Sequence, residues 1–231
     1  ANHGSGSRSH GLIAPLVLVG KVFPVLEVQQ SPSAWVQRFL QNNPAAHDEQ
    51  RWLIDWACGG GRHSLLALER GWSVLAMDQD VHALGSLRKA VDATNDASRL
   101  HCLEVNLEAS NSLGLVARAL SDFGFLQVSA MVVCNYLHRP SWMGMLGLLE
   151  PGGSLIYETF AQGHEQLGRP RRGAFLLQPG ELLAKAQASH LAVIAYEDVL
   201  EVNERDLPRA RKQRLYARKP GLASNGNPWL S

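Results

Sequence analysis

A chain of 231 residues, 45% of them apolar and with a formal net charge of +1, has the length for one α/β domain and enough apolar content for a buried core. That balance excludes a disordered chain, and it gives no electrostatic reason to expect nucleic acid or an anionic membrane as partner. Cys58, Cys102 and Cys134 are odd in number and each sits in an apolar stretch, which fits reduced thiols in a cytoplasmic setting better than a disulfide framework.

Residues 1–32 form an N-terminal extension. Its first ten residues, ANHGSGSRSH, read as flexible sequence, and the apolar run GLIAPLVLVG (11–20) is too short to span a bilayer and is interrupted by Pro15. That run is expected to pack on the domain as a loop or strand. From Ser33 to Leu40 the spacing of Trp35, Phe39 and Leu40 predicts a helix with Ser33 as cap. Arg51 to Ala57 is a short apolar and aromatic run closed by glycines, the pattern of a buried strand entering a tight turn. HSLLALERG then predicts a helix with Leu65, Leu66 and Leu68 inward and Gly71 at its end.

The alternation continues. Strands are predicted at Trp72–Met77, Leu100–Val105, Ser129–Cys134 and Ser154–Phe160, with helices at Val81–Val91, Ser112–Leu120 and Trp142–Leu149 and a turn at Gly152–Gly153. After a long loop from Ala161 to Gln178, PGELLAKAQ opens a helix with Pro179 near its first turn. Strands Leu191–Val199 and Arg211–Ala217 flank a polar turn at Glu204–Pro208 and predict an antiparallel hairpin. Strands alternating with helices give a doubly wound, Rossmann-like α/β fold with a mostly parallel sheet. The domain is expected to span 33–218, followed by a tail at 219–231.

Such a sheet binds its ligand beyond the carboxyl ends of the strands, where the strand order reverses. Here the first strand ends at Asp55, Gly59, Gly60 and Gly61 make the turn, and the second strand ends at Asp78, placed to take the hydroxyls of a ribose. A dinucleotide turn wants Gly-x-Gly-x-x-Gly, but Ser64 stands at the third glycine position and Asp55 would repel a pyrophosphate. A carboxylate there favours a ligand carrying an ammonium and a sulfonium. The plainer alternatives are a strand-to-helix turn without a ligand, and Asp78 as a helix cap beside Asp80.

The segment LIDWACGGGRHSLLALERGWSVLAMDQD resembles the first two motifs of class I S-adenosylmethionine-dependent methyltransferases. Within them the chain is most similar to the small bacterial enzymes of the tellurite-resistance type, a likeness that extends through VVCNYLHRP, PGGSLIYETF and FLLQPGEL and covers roughly Ser33 to Arg218. The resemblance implies a seven-stranded sheet with an antiparallel last strand and S-adenosyl-L-methionine as cofactor. It places Asp55, Gly59 and Gly61 along the methionine part and Asp78 at the ribose. Asn106 stands where many members have an aspartate facing the adenine amino group, and Leu107 would meet the ring through its backbone. Ala57, Arg62, Gln79 and Asn135 complete the candidate cofactor set.

The methyl acceptor is expected beside CNYLHRP and under the loop from Glu158 to Leu177, whose His164, Arg169, Arg171 and Arg172 make it cationic. Tyr136, His138, Arg139 and His164 are the candidate catalytic residues: His138 as a base, Arg139 as a hold on an anionic acceptor. Plainer roles are packing for Tyr136, exposure for His138, a helix cap for Arg139 and a solvated surface for the loop. NYLH lacks both prolines of the Asn-Pro-Pro-Tyr signature, which argues against adenine methylation in DNA. Nucleic acid is less expected than a small molecule because the sequence shows no basic extension and no added recognition domain; the short basic clusters RPRR and ARKQR read as solvated surface, and an RNA substrate stays open. No metal site is expected, because the three cysteines form no paired motif. The acceptor class stays open among thiols, chalcogen oxyanions and small metabolites. Two other readings stay open as well: an S-adenosylmethionine or S-adenosylhomocysteine sensor without turnover, and a nicotinamide-dependent oxidoreductase.

Overall fold

The computed structural model describes residues 31–41, 51–92 and 94–221. The expectation for the apolar run 11–20, most of the N-terminal extension and most of the C-terminal tail lie outside the described residues.

Helix α1 (Ala34–Gln41) precedes β1 (Trp52–Trp56), α2 (Arg62–Glu69), β2 (Ser73–Asp78), α3 (Val81–Val91) and β3 (Leu100–Glu104). Then come α4 (Ser112–Asp122), β4 (Val128–Cys134), α5 (Trp142–Leu148), β5 (Leu149–Phe160), α6 (Glu181–Ala188), β6 (Ala192–Val202) and β7 (Pro208–Arg218). The strands form one seven-stranded sheet in the order β3-β2-β1-β4-β5-β7-β6. β7 runs antiparallel to both β5 and β6, and the remaining pairs are parallel. This is the doubly wound, Rossmann-like sheet with an antiparallel last strand expected from the sequence. The order reverses between β1 and β4, and in open α/β sheets ligands bind beyond the carboxyl ends of the strands at such a switch point.

β1 and β4 are buried along their whole length, as central strands covered on both faces must be. Alternation along β1 sends Trp52, Ile54 and Trp56 into one core with α4, α5 and α6, and Leu53 into the other with α1, α2 and α3. α1 docks through Trp35, Val36, Phe39 and Leu40. Phe39 stacks on Tyr216 with ring centroids 4.2 Å apart, and the Trp35 indole donates to the Leu215 carbonyl at 3.2 Å.

Three local expectations are corrected. β5 begins at Leu149 rather than Ser154, because Gly152 and Gly153 are tied to Lys219 by backbone hydrogen bonds of 2.9 Å and continue the strand instead of leaving it. The final hairpin strands are longer than expected, since β6 and β7 pair over nearly their full length. The segment 161–178 is not structureless: it carries short 3-10 turns at His164–Gln166 and Gly173–Phe175 and a bridge between Ala161 and Leu177. No helix among the described residues is long and apolar enough to cross a membrane.

Gly61 opens α2 at φ +75°, and a Cβ there would come within 2.5 Å of the Leu87 side chain, itself fully buried. Left-handed backbone and overpacking therefore act together. Gly61→Ala should lower stability by about 2–4 kcal/mol in urea unfolding. Gly85→Ala, in open space on α3, should be neutral or stabilise by up to about 1 kcal/mol.

Candidate active site

The turn from β1 into α2 requires three left-handed residues in five positions: Ala57 at φ 56°, Gly59 at φ 53° and Gly61 at φ 75°. Asn135, the first residue after β4, also has a positive φ of 57°. Non-glycine residues in this region are uncommon and carry a modest strain cost, and here two of them stand at the ends of the two central strands. The turn is fastened to the neighbouring strand. Gly59 N–H donates to Asp78 Oδ2 at 2.7 Å, and Cys58 N–H donates to the Met77 carbonyl at 2.9 Å. The other Asp78 oxygen accepts from Asp80 N–H at 2.9 Å. The cap of α3 is Asp80, which accepts from His82 and Ala83 N–H, so Asp78 is not the capping residue.

Beyond these strand ends lies a cavity of about 240 Å³ lined by Ala57, Asp78, Gln79, Val105, Asn106, Leu107, Glu108 and Tyr136. Six of the candidate site residues therefore share one cleft. Val105 and Glu108 complete it; they flank Asn106 and Leu107 in EVNLE, and position after the third strand was the available signal. Asn106 Oδ1 accepts from Glu108 N–H at 3.0 Å, which aims the amide while leaving a second lone pair. The Tyr136 hydroxyl of the cleft lining and the indole N–H of Trp56 in the core are both buried, and neither closes a hydrogen bond of normal geometry. A larger hollow of about 470 Å³ runs along α1 and α2. It shares only Arg62 with the candidate set, and no strand end lines it.

Asp55 is 1% exposed and accepts from Ser64 Oγ at 2.7 Å. Burial pushes its carboxyl up to about 6, against the opposing pull of Ser64 and of Arg62. β1 runs one residue beyond the expected Asp55, to Trp56, and the serine at the third glycine position partners the carboxylate just inside that strand end. Arg62 Nη1 donates to the Ser31 carbonyl at 3.2 Å and Nη2 to Cys134 Sγ at 3.5 Å.

The four candidate catalytic residues are not gathered on one reacting point. Tyr136 lines the cleft, and burial pushes its phenol up to about 12, so the hydroxyl keeps its proton near neutral pH. His138 Nδ1 lies 2.5 Å from Ser141 Oγ, and Nε2 has no protein partner among the described residues. Arg139 is committed elsewhere: it forms a two-pronged pair with Glu181 at 2.7 and 2.8 Å and donates to the Ala174 and Leu176 carbonyls at 2.7 and 2.9 Å. His164 stacks on Phe160, with Nε2 2.9 Å from the Arg169 carbonyl and Nδ1 accepting from Arg211 N–H at 3.4 Å. Both of its nitrogens are used within the protein. Among the described residues no group of three or more His, Cys, Asp or Glu side chains is placed to hold a metal ion.

Residues with strong chemistry that the sequence reading passed over are His63 and Glu158. Glu158, 1% exposed, is paired with Lys212 at 2.8 Å and Arg214 at 2.7 Å and accepts from the Cys134 thiol at 3.6 Å. Burial alone would raise its carboxyl, but the two cations more than reverse this and hold it below the usual carboxylate range.

The raised Asp55 gives a prediction with a definite sign. Its folded-state value lies above the unfolded 3.8, so the penalty is absent below the unfolded value, grows as pH rises through the interval up to about 6, and is then complete. A shift of this size is of the order of 3 kcal/mol. Asp55→Asn should therefore be more stable than the wild type at pH 8 by about 1–3 kcal/mol, with the gap narrowing as pH falls toward about 5; denaturant melts at several pH values measure it.

No family model and no curated protein matches the chain. Solved structures do. TehB from Haemophilus influenzae aligns over 80% of this chain and 61% of its own at 16% identity and TM-score 0.57, so the chain spans about three fifths of that protein's length. The glycopeptide N-methyltransferase MtfA complexed with S-adenosyl-L-methionine aligns over 80% of this chain and 92% of its own, at 16% identity and TM-score 0.52. The [4+2]-cyclase SpnF aligns over 81% and 80%, at 14% identity and TM-score 0.59. Identities this low speak to architecture alone, and with the observed strand order they give one result. The chain has the fold of the class I S-adenosylmethionine-dependent methyltransferases.

Proposed function

We propose that the cleft beyond β1, β2 and β3 holds S-adenosyl-L-methionine and that the protein is a methyltransferase acting on a small-molecule acceptor. The observation that carries this reading is the composition of the cleft. An aspartate ends β2, an amide and apolar side chains follow β3, a turn of left-handed residues lies between, and the lining includes a buried tyrosine hydroxyl without a partner. These residues fit an adenosine with a cationic tail. The backbone approaches closely at the glycines, and the buried carboxylate of Asp55 behind the turn disfavours a pyrophosphate and favours positive charge. Bound there, the cofactor supplies a sulfonium methyl group that an acceptor lone pair takes by in-line displacement.

What the chain itself contributes is alignment. Asp78 is held by two backbone N–H groups, and each oxygen keeps a lone pair for a ribose hydroxyl. Asn106 offers its amide oxygen, and Leu107 and Val105 supply apolar wall. On the acceptor side His138 Nε2 is the base available for an acceptor that must lose a proton. Arg139 acts by fastening the segment 174–176 to α6 rather than by holding an anionic acceptor. The acceptor belongs to a thiol, chalcogen-oxyanion or small-metabolite class, and the reading includes no metal and no nucleic-acid partner.

Isothermal titration with S-adenosylmethionine, S-adenosylhomocysteine and NAD tests this. The first two should bind with micromolar affinity and NAD should not. Asp78→Ala should weaken binding about 10- to 100-fold, the loss of hydrogen bonds to a charged acceptor. NAD binding alone, or no binding at all, overturns the reading. Tight cofactor binding with no turnover across a panel of thiols, chalcogen oxyanions and metabolites would favour a sensor over an enzyme.

A further inference from the structure

Two residues after the glycine turn, His63 is 3% exposed and Nε2 accepts the backbone N–H of Ser33 at 3.1 Å. Because Nε2 accepts, the ring proton sits on Nδ1 and the imidazole is neutral. Burial holds it so, pushing its pKa down to about 3 with help from Arg62 and Lys212 and against Glu158. Its immediate neighbour Arg62 donates to the carbonyl of Ser31. Consecutive residues at the start of α2 thus grip two backbone groups of one strap, residues 31–33, that leads into α1.

This strap is anchored differently from the helix it opens. α1 docks on β7 through its aromatic face, whereas the strap is held by Arg62 and His63. Both lie directly beyond Gly61, on the rigid helix launched by the turn. Any ligand that fixes the turn also fixes where these two side chains stand. Binding free energy at the turn and closure of the strap are then linked, and linkage is reciprocal.

We propose that His63 is a positioning residue that couples closure of the strap 31–33 and the start of α1 to occupancy of the glycine turn by a nucleoside ligand. The coupling rests on the cofactor reading above. A ligand at the turn stabilises the closed strap, and a closed strap tightens ligand binding by the same factor.

Amide hydrogen exchange of the full chain, with and without S-adenosylhomocysteine, is the test. In the wild type the ligand should slow exchange both at 57–61 and at 33–36. His63→Leu, which fills the space but cannot accept, should speed exchange at 33–36 about fivefold or more and make it indifferent to the ligand. Protection at 57–61 by the ligand should persist in that variant. His63→Gln, which restores an acceptor at similar reach, should recover both the slower exchange and its ligand response. A purely structural histidine would show no such rescue. The proposal is overturned if wild-type 33–36 ignores the ligand while 57–61 is protected, if His63→Leu exchanges like the wild type, or if glutamine fails to rescue. The wild-type comparison decides even if the leucine variant does not fold. Absence of protection at 57–61 in the wild type is a distinct outcome: it overturns the cofactor reading itself and the coupling with it.

Discussion

The hydrogen bond from Gly59 N–H to the Asp78 carboxylate joins the ends of two adjacent parallel strands, and the cleft depends on it. Strand ends carry backbone groups with no partner in the ladder, and here one of them is satisfied by a side chain from the next strand. The turn holds left-handed conformations at Ala57, Gly59 and Gly61 with its middle fixed on Asp78 and on the Met77 carbonyl and its exit closed by Gly61 N–H donating to the Cys58 carbonyl. Since Asp80 supplies the cap of α3, Asp78 retains lone pairs facing the cleft. One carboxylate orients the turn and remains available to a ligand.

The second carboxylate behaves in the opposite way. Asp55 lies behind the turn with Ser64 as its hydrogen-bond partner, and its burial costs stability near neutral pH. A buried carboxylate retained at a strand end beside a cleft is the kind of local conflict expected where binding, rather than stability, decides the residue.

Across the sheet, the half formed by β5, β7 and β6 is organised by ion pairs. Glu158 on β5 faces Lys212 and Arg214 on β7, and Glu197 and Glu201 on β6 extend the network to the sheet edge. Breaking one partner of such a buried set leaves an uncompensated charge, so the network opposes slippage of the antiparallel strand. Arg139 ties the loop after β4 to α6 and to 174–176, and His164 ties 164–169 to β7. The long cationic segment between β5 and α6 is therefore tied down at two nodes, Arg139 and His164.

Strand and helix order, the position of the glycine turn and the strand-end residues Asp55, Asp78 and Asn106 were legible in the sequence by itself. They follow from local periodicity, from glycine's freedom at positive φ, and from a topology that admits few alternatives. The partners of the polar side chains were not legible. Arg139 meets Glu181 42 residues away, Lys212 meets Glu158 54 residues away, and His63 meets Ser33 30 residues back. Contacts at such separation depend on strand register and on which face a helix presents, and neither leaves a local mark in the chain. The same reason hid the extension of β5, which continues through Gly152 and Gly153 because Lys219 pairs with them. The sequence by itself determined where the chain turns on glycine beyond the first strand; tertiary structure alone decided which polar side chains are tied up within the protein, because their partners lie dozens of residues away.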